Sequence, residues 1–262
     1  MFEQKKLLNH LHREADRLIG SHILDKSERV LKYHKTEASD FLNPYQQNIA
    51  EDIVKQISDL NYKFEGGYRT AERKRLLVFP EYLFPDLVES QIAIFKIKGN
   101  FSFQNLTHRD FLGAIMGLGL QRKVIGDILI HAEFAQLITA VEVKDIIELK
   151  LDKVHQVPVE VEEISDEDII KPSQHEKEIL TTVPSMRLDA VASSGFGDSR
   201  SKMSRSIKNE EVKLNWKVES DPAAEVEIGD LISLRGRGRV KVEENRGLSN
   251  KDRIKLTLKR LT

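Results

Sequence analysis

The chain has 262 residues, of which 40% are hydrophobic and 32% charged, with a formal net charge of −1. That length suits two or three domains with real cores, and the absence of cysteine excludes disulfide frameworks, thiolate metal sites and a cysteine nucleophile. The apolar stretch nearest to the roughly 18 residues of a membrane helix runs from Val124 to Val141 and is interrupted by Asp127, His131 and Glu133, so a cytoplasmic protein with no membrane partner is expected.

Residues 3–19 carry Leu7, Leu8, Leu11, Ala15, Leu18 and Ile19 at helical spacing, and residues 22–34 continue with Ile23, Leu24, Val30 and Leu31 as a second helix. Asn43-Pro44 opens a third helix that runs to about Leu60. Tyr62–Glu65 and Arg75–Phe79 read as short strands around the Gly66-Gly67 turn. Next come a strand over Ser90–Lys98, a helix over Thr107–Leu118 with Asp110 three residues after Thr107, strands over Ile125–Ile130 and Phe134–Ala140, a helix over Glu142–Leu151 and a strand over Val157–Ile164. The order β-α-β-β-α-β is that of a ferredoxin-like unit. The fold class expected is α+β: a mostly helical N-terminal region (1–80), a ferredoxin-like, RRM-like middle domain (81–165), a linker (166–184) and a C-terminal domain (185–262).

The last of these is basic. Residues 185–262 hold 17 Lys and Arg against 12 Asp and Glu, leaving −6 on residues 1–184. A helix over Arg187–Ser194, a Gly195-Phe196-Gly197 turn and a helix over Ser199–Asn209 precede strands at Val212–Asn215, Leu231–Leu234, Val240–Glu243 and Ile254–Leu258. Arg187-Leu188-Asp189 opens the first helix and Ser199-Arg200-Ser201-Lys202 the second. Val212-Lys213-Leu214-Asn215 follows, and Val226 to Leu234 closes the unit. In this order the segments resemble the S4-type (alpha-L) RNA-binding domain. The resemblance implies an RNA surface built from Arg187, Asp189, Ser199, Arg200, Ser201, Lys202, Arg205, Lys208, Lys213, Asn215, Lys217, Arg235, Arg237 and Arg239.

Several of those positions have a physical reading of their own. Lys202, Arg205 and Lys208 recur every three residues and lie along adjoining turns, while the helix start offers amides and the Ser199 and Ser201 hydroxyls to a phosphate. Asp189 either pairs with a cation of the second helix or stabilises its own helix N-terminus. Trp216 follows Asn215, where such domains often carry glycine. A tight type I′ turn is therefore not expected, because Trp resists positive φ; Trp216 covers the core by default, or stacks on a base. Arg235-Gly236-Arg237-Gly238-Arg239 either clamps phosphates or is a Gly-Arg turn.

Upstream, Gly113 to Ile128 (GAIMGLGLQRKVIGDI), with Phe64-Glu65-Gly66-Gly67-Tyr68 and Ala71-Glu72-Arg73, is similar to the YlmH family, and the likeness spans nearly the whole chain. It implies a non-enzymatic RNA-binding protein that contacts ribosomal RNA and tRNA on large ribosomal subunits blocked by peptidyl-tRNA. It also implies a link to ribosome-associated quality control, through a shorter relative, RqcP, and genes that often lie among cell-division genes. No cofactor, metal or small-molecule substrate is expected, and the chain is expected to be a monomer.

Gly117-Leu118-Gly119 lacks the third spaced glycine and the preceding strand of a nucleotide loop. These glycines are read as ending a helix, with Arg122 and Lys123 exposed in the following loop, either as an auxiliary RNA contact or simply solvated. The middle domain offers only Phe95 and Phe134 for an aromatic sheet-face readout, so a protein contact or a spacer is expected there. The eight histidines form no catalytic motif. The alternatives are an RNA-modifying enzyme (a pseudouridine synthase or a methyltransferase) targeted by an S4-type domain, and a division-associated scaffold.

Overall fold

A computed structural model describes residues 7–101, 106–171 and 176–261; residues 3–6 of the first expected helix lie outside that range. The chain forms two compact units, 1–172 and 173–262.

Leu7 and Leu8 are helical, and after a break one continuous helix, α1 (Glu14–Tyr33), runs through the boundary expected between residues 19 and 22. Gly20 does not break it. A Cβ at this position would stand 2.5 Å from Leu8 Cδ2 and 2.9 Å from Ile53 Cδ1, so the glycine admits close packing that outweighs its helix cost of about 1 kcal/mol. Ile23, Leu24, Ser27 and Val30 form the buried stripe. After β1 (Glu37–Ala38), α2 (Pro44–Val54) starts with a reciprocal cap, Gln46 N–H donating to Asn43 Oδ1 and Asn43 N–H to Gln46 Oε1, both at 3.0 Å. It stops at Val54, earlier than expected, because Leu60 already begins β2 (Leu60–Glu65), which pairs with β3 (Arg75–Pro80). The antiparallel order is β1-β3-β2, so the helices of this region pack on a three-stranded sheet. β3 is buried on both faces: Leu76 and Val78 meet the helices, while Leu77 and Phe79 pack with Val88.

β4 (Ile92–Gly99), α3 (His108–Gly117), β5 (Ile125–Ile130), β6 (Phe134–Ala140), α4 (Lys144–Lys150), β7 (Lys153–Val154) and β8 (Val157–Glu163) follow. The sheet order β5-β6-β4-β8-β7, with every pairing antiparallel, is the ferredoxin-like arrangement plus a small β7–β8 hairpin. α3 is capped by Thr107, whose N–H and hydroxyl both donate to Asp110 Oδ2. Phe95, Ile97, Phe111, Ile115, Leu137 and Ile147 are fully buried in this core.

Two polar clamps join this sheet to the preceding layer. Arg75, only 4% exposed, donates to Ser39 O, Gln91 O and both carboxylate oxygens of Glu142 at 2.5–2.7 Å. Asp127 accepts from Tyr68 Oη, Glu72 N–H and Arg73 N–H at 2.8, 2.8 and 3.1 Å. The segments expected as separate domains at 1–80 and 81–165 are therefore parts of one unit.

The second unit is an antiparallel six-stranded sheet ordered β11-β10-β12-β13-β14-β9. Its strands are β9 (Glu176–Val183), β10 (Val212–Leu214), β11 (Lys217–Val218), β12 (Leu231–Leu234), β13 (Gly238–Leu248) and β14 (Ile254–Leu261). Helices α5 (Leu188–Phe196) and α6 (Arg200–Lys208) pack Val191, Phe196, Met203 and Ile207 with Ile232, Val240, Val242 and Leu258. Gly195 lets α5 lie against β13, since a Cβ there would be 2.7 Å from Val240 Cγ1.

Two expectations fail in this region. The segment 166–184 is not a linker: Ser165 and Asp168 close a turn on the first unit, and β9 pairs with the whole of β14. Its sequence, EKEILTTV, is the charge-bearing type that protects an edge strand from pairing with other chains. The tight turn also forms despite Trp216. Leu214 pairs with Lys217, and Asn215 and Trp216 have φ of 49° and 64°, as a type I′ turn requires. Asn215 makes it possible by donating to Asp230 Oδ1 at 2.7 Å and accepting from Leu231 N–H at 2.9 Å. Trp216 is half-buried at this tip and is not among the side chains forming the core.

Candidate nucleic-acid interface

The site grows from the start of α5. Arg187 is its N-cap, and the strand-like segment before it is held by Leu188 N–H to Ala224 O and Val226 N–H to Met186 O, both 2.8 Å. Asp189, 4% exposed, accepts from Arg187 Nε and Nη2 at 3.2 and 3.1 Å, from Arg200 Nη2 at 3.1 Å and from Ser204 Oγ at 3.4 Å. Of the two readings of Asp189, the structure selects the pairing across helices. Ser204 was not foreseen; its signal is that it lies four residues after Arg200 and so on the same helix face.

Burial opposes the Asp189 charge, but the hydrogen bonds and charges of Arg187 and Arg200 prevail and hold the carboxyl below its ordinary range. A carboxyl whose folded pKa is depressed stabilises fully above its unfolded value, about 3.9, and that contribution is lost as pH falls through the folded pKa. In Asp189→Asn the second unit is expected to lose about 1–3 kcal/mol at neutral pH and to show a flatter acid-unfolding profile. Urea titration followed by Trp216, the single tryptophan, reads this unit; equal losses at pH 7 and pH 3 would contradict the assignment.

A second acidic hub, also unforeseen, organises the α5–α6 turn. Asp198 pairs with Lys202 Nζ at 2.8 Å and with Arg237 Nη1 at 3.0 Å, and Arg237 Nη2 donates to Phe196 O at 2.8 Å. The hydrogen bond from Lys202, with the Arg237 charge, lowers the Asp198 carboxyl. The Arg-Gly-Arg segment is thus the three-residue turn between β12 and β13, with Arg237 spent on the scaffold and Arg235 exposed. Ser199 caps α6, accepting from Lys202 N–H at 3.3 Å, with Ser201 Oγ 3.3 Å from its hydroxyl.

Among the cations of α6, Arg205 and Lys208 are exposed and enter none of the ion pairs between described residues. They sit opposite Met203 and Ile207, which face the core. Lys213 and Arg239 do not join this row. Val212, Leu214, Val240 and Val242 face the helices, so Lys213 and Arg239, aligned through Ser233, occupy the other sheet face. Lys217 lies at the edge of the sheet beside the Asn215 turn.

In the first unit, Arg122 is half-buried and not exposed as expected. Its Nη1 donates to Ile125 O at 2.6 Å and Gly126 O at 3.0 Å, and burial, reinforced by the Arg73 charge, lowers its pKa to about 10. Lys123 is exposed, 3.7 Å from Asp40.

Three family models match along the chain: "YlmH, N-terminal" over residues 16–83, "Putative RNA-binding domain in YlmH" over 85–168 and "S4 domain" over 186–232. The ribosome-associated protein quality control protein P2 of Bacillus subtilis (strain 168) is 35% identical over 248 residues, 95% of this chain and 96% of that protein. The chain belongs to the YlmH family. A solved structure, the cell division protein ylmH from Streptococcus pneumoniae, is similar with a TM-score of 0.52 at 27% identity, over 60% of this chain and 96% of its own.

In this YlmH-family chain the middle sheet does not present an open aromatic face. Ile94 and Lys96 of β4 share a face with Ile138 and Gln136 of β6, and residues 164–171 lie across it. Gln136 Nε2 donates to Asp168 O at 2.8 Å and Ile170 N–H donates to Gln136 Oε1 at 2.9 Å, while Ile169 packs into the core cluster. Phe134 is stacked on His131 with centroids 4.4 Å apart, and Lys96 Nζ stands 4.5 Å from the Phe134 centroid. The aromatic platform of an RNA-recognition sheet is thus already engaged within the chain.

Proposed function

We propose that this chain is a non-enzymatic factor that binds ribosomal RNA and tRNA on the large ribosomal subunit, in ribosome-associated quality control of stalled peptidyl-tRNA complexes. The observation that carries the reading is the outer face of α6, where Arg205 and Lys208 are uncommitted cations on a helix anchored by Asp189 and Asp198. Anchoring matters because a helix already rigid loses little entropy when it meets a phosphate backbone. The S4 match and the printed name of the Bacillus subtilis relative support the ribosomal context. With four to six phosphate contacts, log affinity is expected to fall against log salt with a slope of roughly −3 to −5.

Sucrose-gradient sedimentation of the tagged chain beside Arg205→Glu/Lys208→Glu tests this reading. Wild type is expected to travel with large subunits and the variant to stay near the top. Wild type remaining at the top at low salt would overturn the ribosomal assignment.

A further inference from the structure

Beyond Val242 the side chains of β13 leave the core of the second unit. β13 runs on to Leu248 while its antiparallel neighbour β12 reaches only as far as Leu231, opposite Lys241, and Glu244 to Leu248 are all exposed. The β13–β14 hairpin they form lies outside the residues matched by the S4 model, and its pairing is offset by register shifts after Val242 and Asn245. Leu256 of β14 still reaches the core, but packing of their own side chains does not explain residues 244–248 of β13.

Its side chains are cationic and uncompensated. Arg246, Lys251 and Lys255 are exposed and take part in none of the ion pairs between described residues. Among the described residues Arg253 is bound to neutral acceptors, donating from Nη2 to Thr182 O at 2.6 Å and from Nε to Thr182 Oγ1 at 3.1 Å. That contact ties the hairpin to β9 without consuming its charge. Beside this contact lies a groove of about 410 Å³ lined by Leu180, Thr181, Thr182, Arg246, Lys255 and Leu256. Four cations against Glu244 and Asp252 repel one another in the free chain, and a polyanion relieves that repulsion. Hydroxyls and backbone groups beside cations are the usual partners of phosphate and sugar oxygens.

We propose that the β13–β14 hairpin is a second RNA-backbone contact of the C-terminal unit, with the groove beside Arg246 and Lys255 taking a phosphodiester segment. The proposal rests on the RNA-binding reading above and extends it to residues outside the S4 match.

Full-length Arg246→Glu/Lys255→Glu and the milder Arg246→Gln/Lys255→Gln test it, with end-labelled unfractionated tRNA as the probe and Kd measured by anisotropy across salt. Loss of two contacts at about 0.7–0.9 each is expected to make the salt slope shallower by roughly 1.4–1.8 in both variants; affinity at low salt is expected to fall about tenfold in the Glu variant. Trp216 fluorescence reports whether each variant folds, and the Gln variant alone decides the matter if the Glu variant does not. Wild-type slope and affinity in the folded hairpin variants, with Arg205→Glu/Lys208→Glu impaired, would overturn the hairpin contact and leave the RNA reading standing. A flat salt response in wild type would sink both. Unchanged tRNA affinity with lost sedimentation on large subunits would make the hairpin's partner a protein, against the proposal.

Discussion

Reversing charge in Arg205→Glu/Lys208→Glu is expected to weaken RNA binding about a hundredfold. Each lost charge-assisted contact to phosphate is worth about 1.5 kcal/mol, and about 1.4 kcal/mol is tenfold in affinity. Both side chains are exposed, and neither touches an acidic partner among the described residues. The fold should therefore be indifferent, with the Trp216 unfolding transition moving by no more than about 0.5 kcal/mol. The neighbouring pair Arg200 and Lys202 is a poorer probe. Arg200 holds Asp189 and Lys202 holds Asp198, so reversing them mixes lost binding with lost scaffold. Anisotropy titration of the folded variant decides the matter, and less than a threefold loss would remove α6 from the interface.

Asp127→Ala is expected to destabilise the first unit by about 3 kcal/mol while leaving the second unchanged. The carboxylate accepts three hydrogen bonds, from Tyr68 Oη and the amides of Glu72 and Arg73. With Glu72, it is also one of two anions acting on two part-buried guanidiniums. Burial lowers the pKa of Arg73 and Arg122, and the Asp127 charge counters it. Removing it leaves donors unsatisfied and cations less compensated, the costly way to break a buried polar network. Asp127→Asn keeps one acceptor and should recover part of the loss. Far-UV circular dichroism follows both units, and Trp216, which lies in the second, separates that unit's transition from the first. Hydrogen exchange at residues 72 and 73 supplies the local readout; protection equal to wild type would show that the clamp is dispensable.

The legibility of the chain varied with how locally each element is determined. Ile125–Ile130 and Phe134–Ala140 were readable to the residue, because branched and apolar residues bounded by His131-Ala132-Glu133 leave little choice of structure. The continuity of α1 through Gly20 was not legible, since the helix cost of glycine is a local property and its compensation, contact with Leu8 and Ile53, is not. β9 misled because an edge strand with charged residues looks like a linker until β14 is placed beside it. Trp216 misled because a propensity against positive φ is a modest energy, and the Asn215–Asp230 and Asn215–Leu231 bonds exceed it.

The sequence by itself determined the α+β class, the β-α-β-β-α-β order of the middle elements, the family resemblance and the basic character of the C-terminal third. Each of these depends on periodicity, composition or motif spacing along the chain. Tertiary structure alone decided which of the basic residues are free to meet a partner. Arg187, Arg200, Lys202 and Arg237 are bound to Asp189 and Asp198, and Arg122 to backbone carbonyls, whereas Arg205, Lys208 and Arg246 are uncommitted among the described residues. An ion pair requires two groups within about 4 Å, and Asp198 meets Arg237 only because the β12–β13 turn folds back onto the start of α6. No spacing along the chain carries that distance.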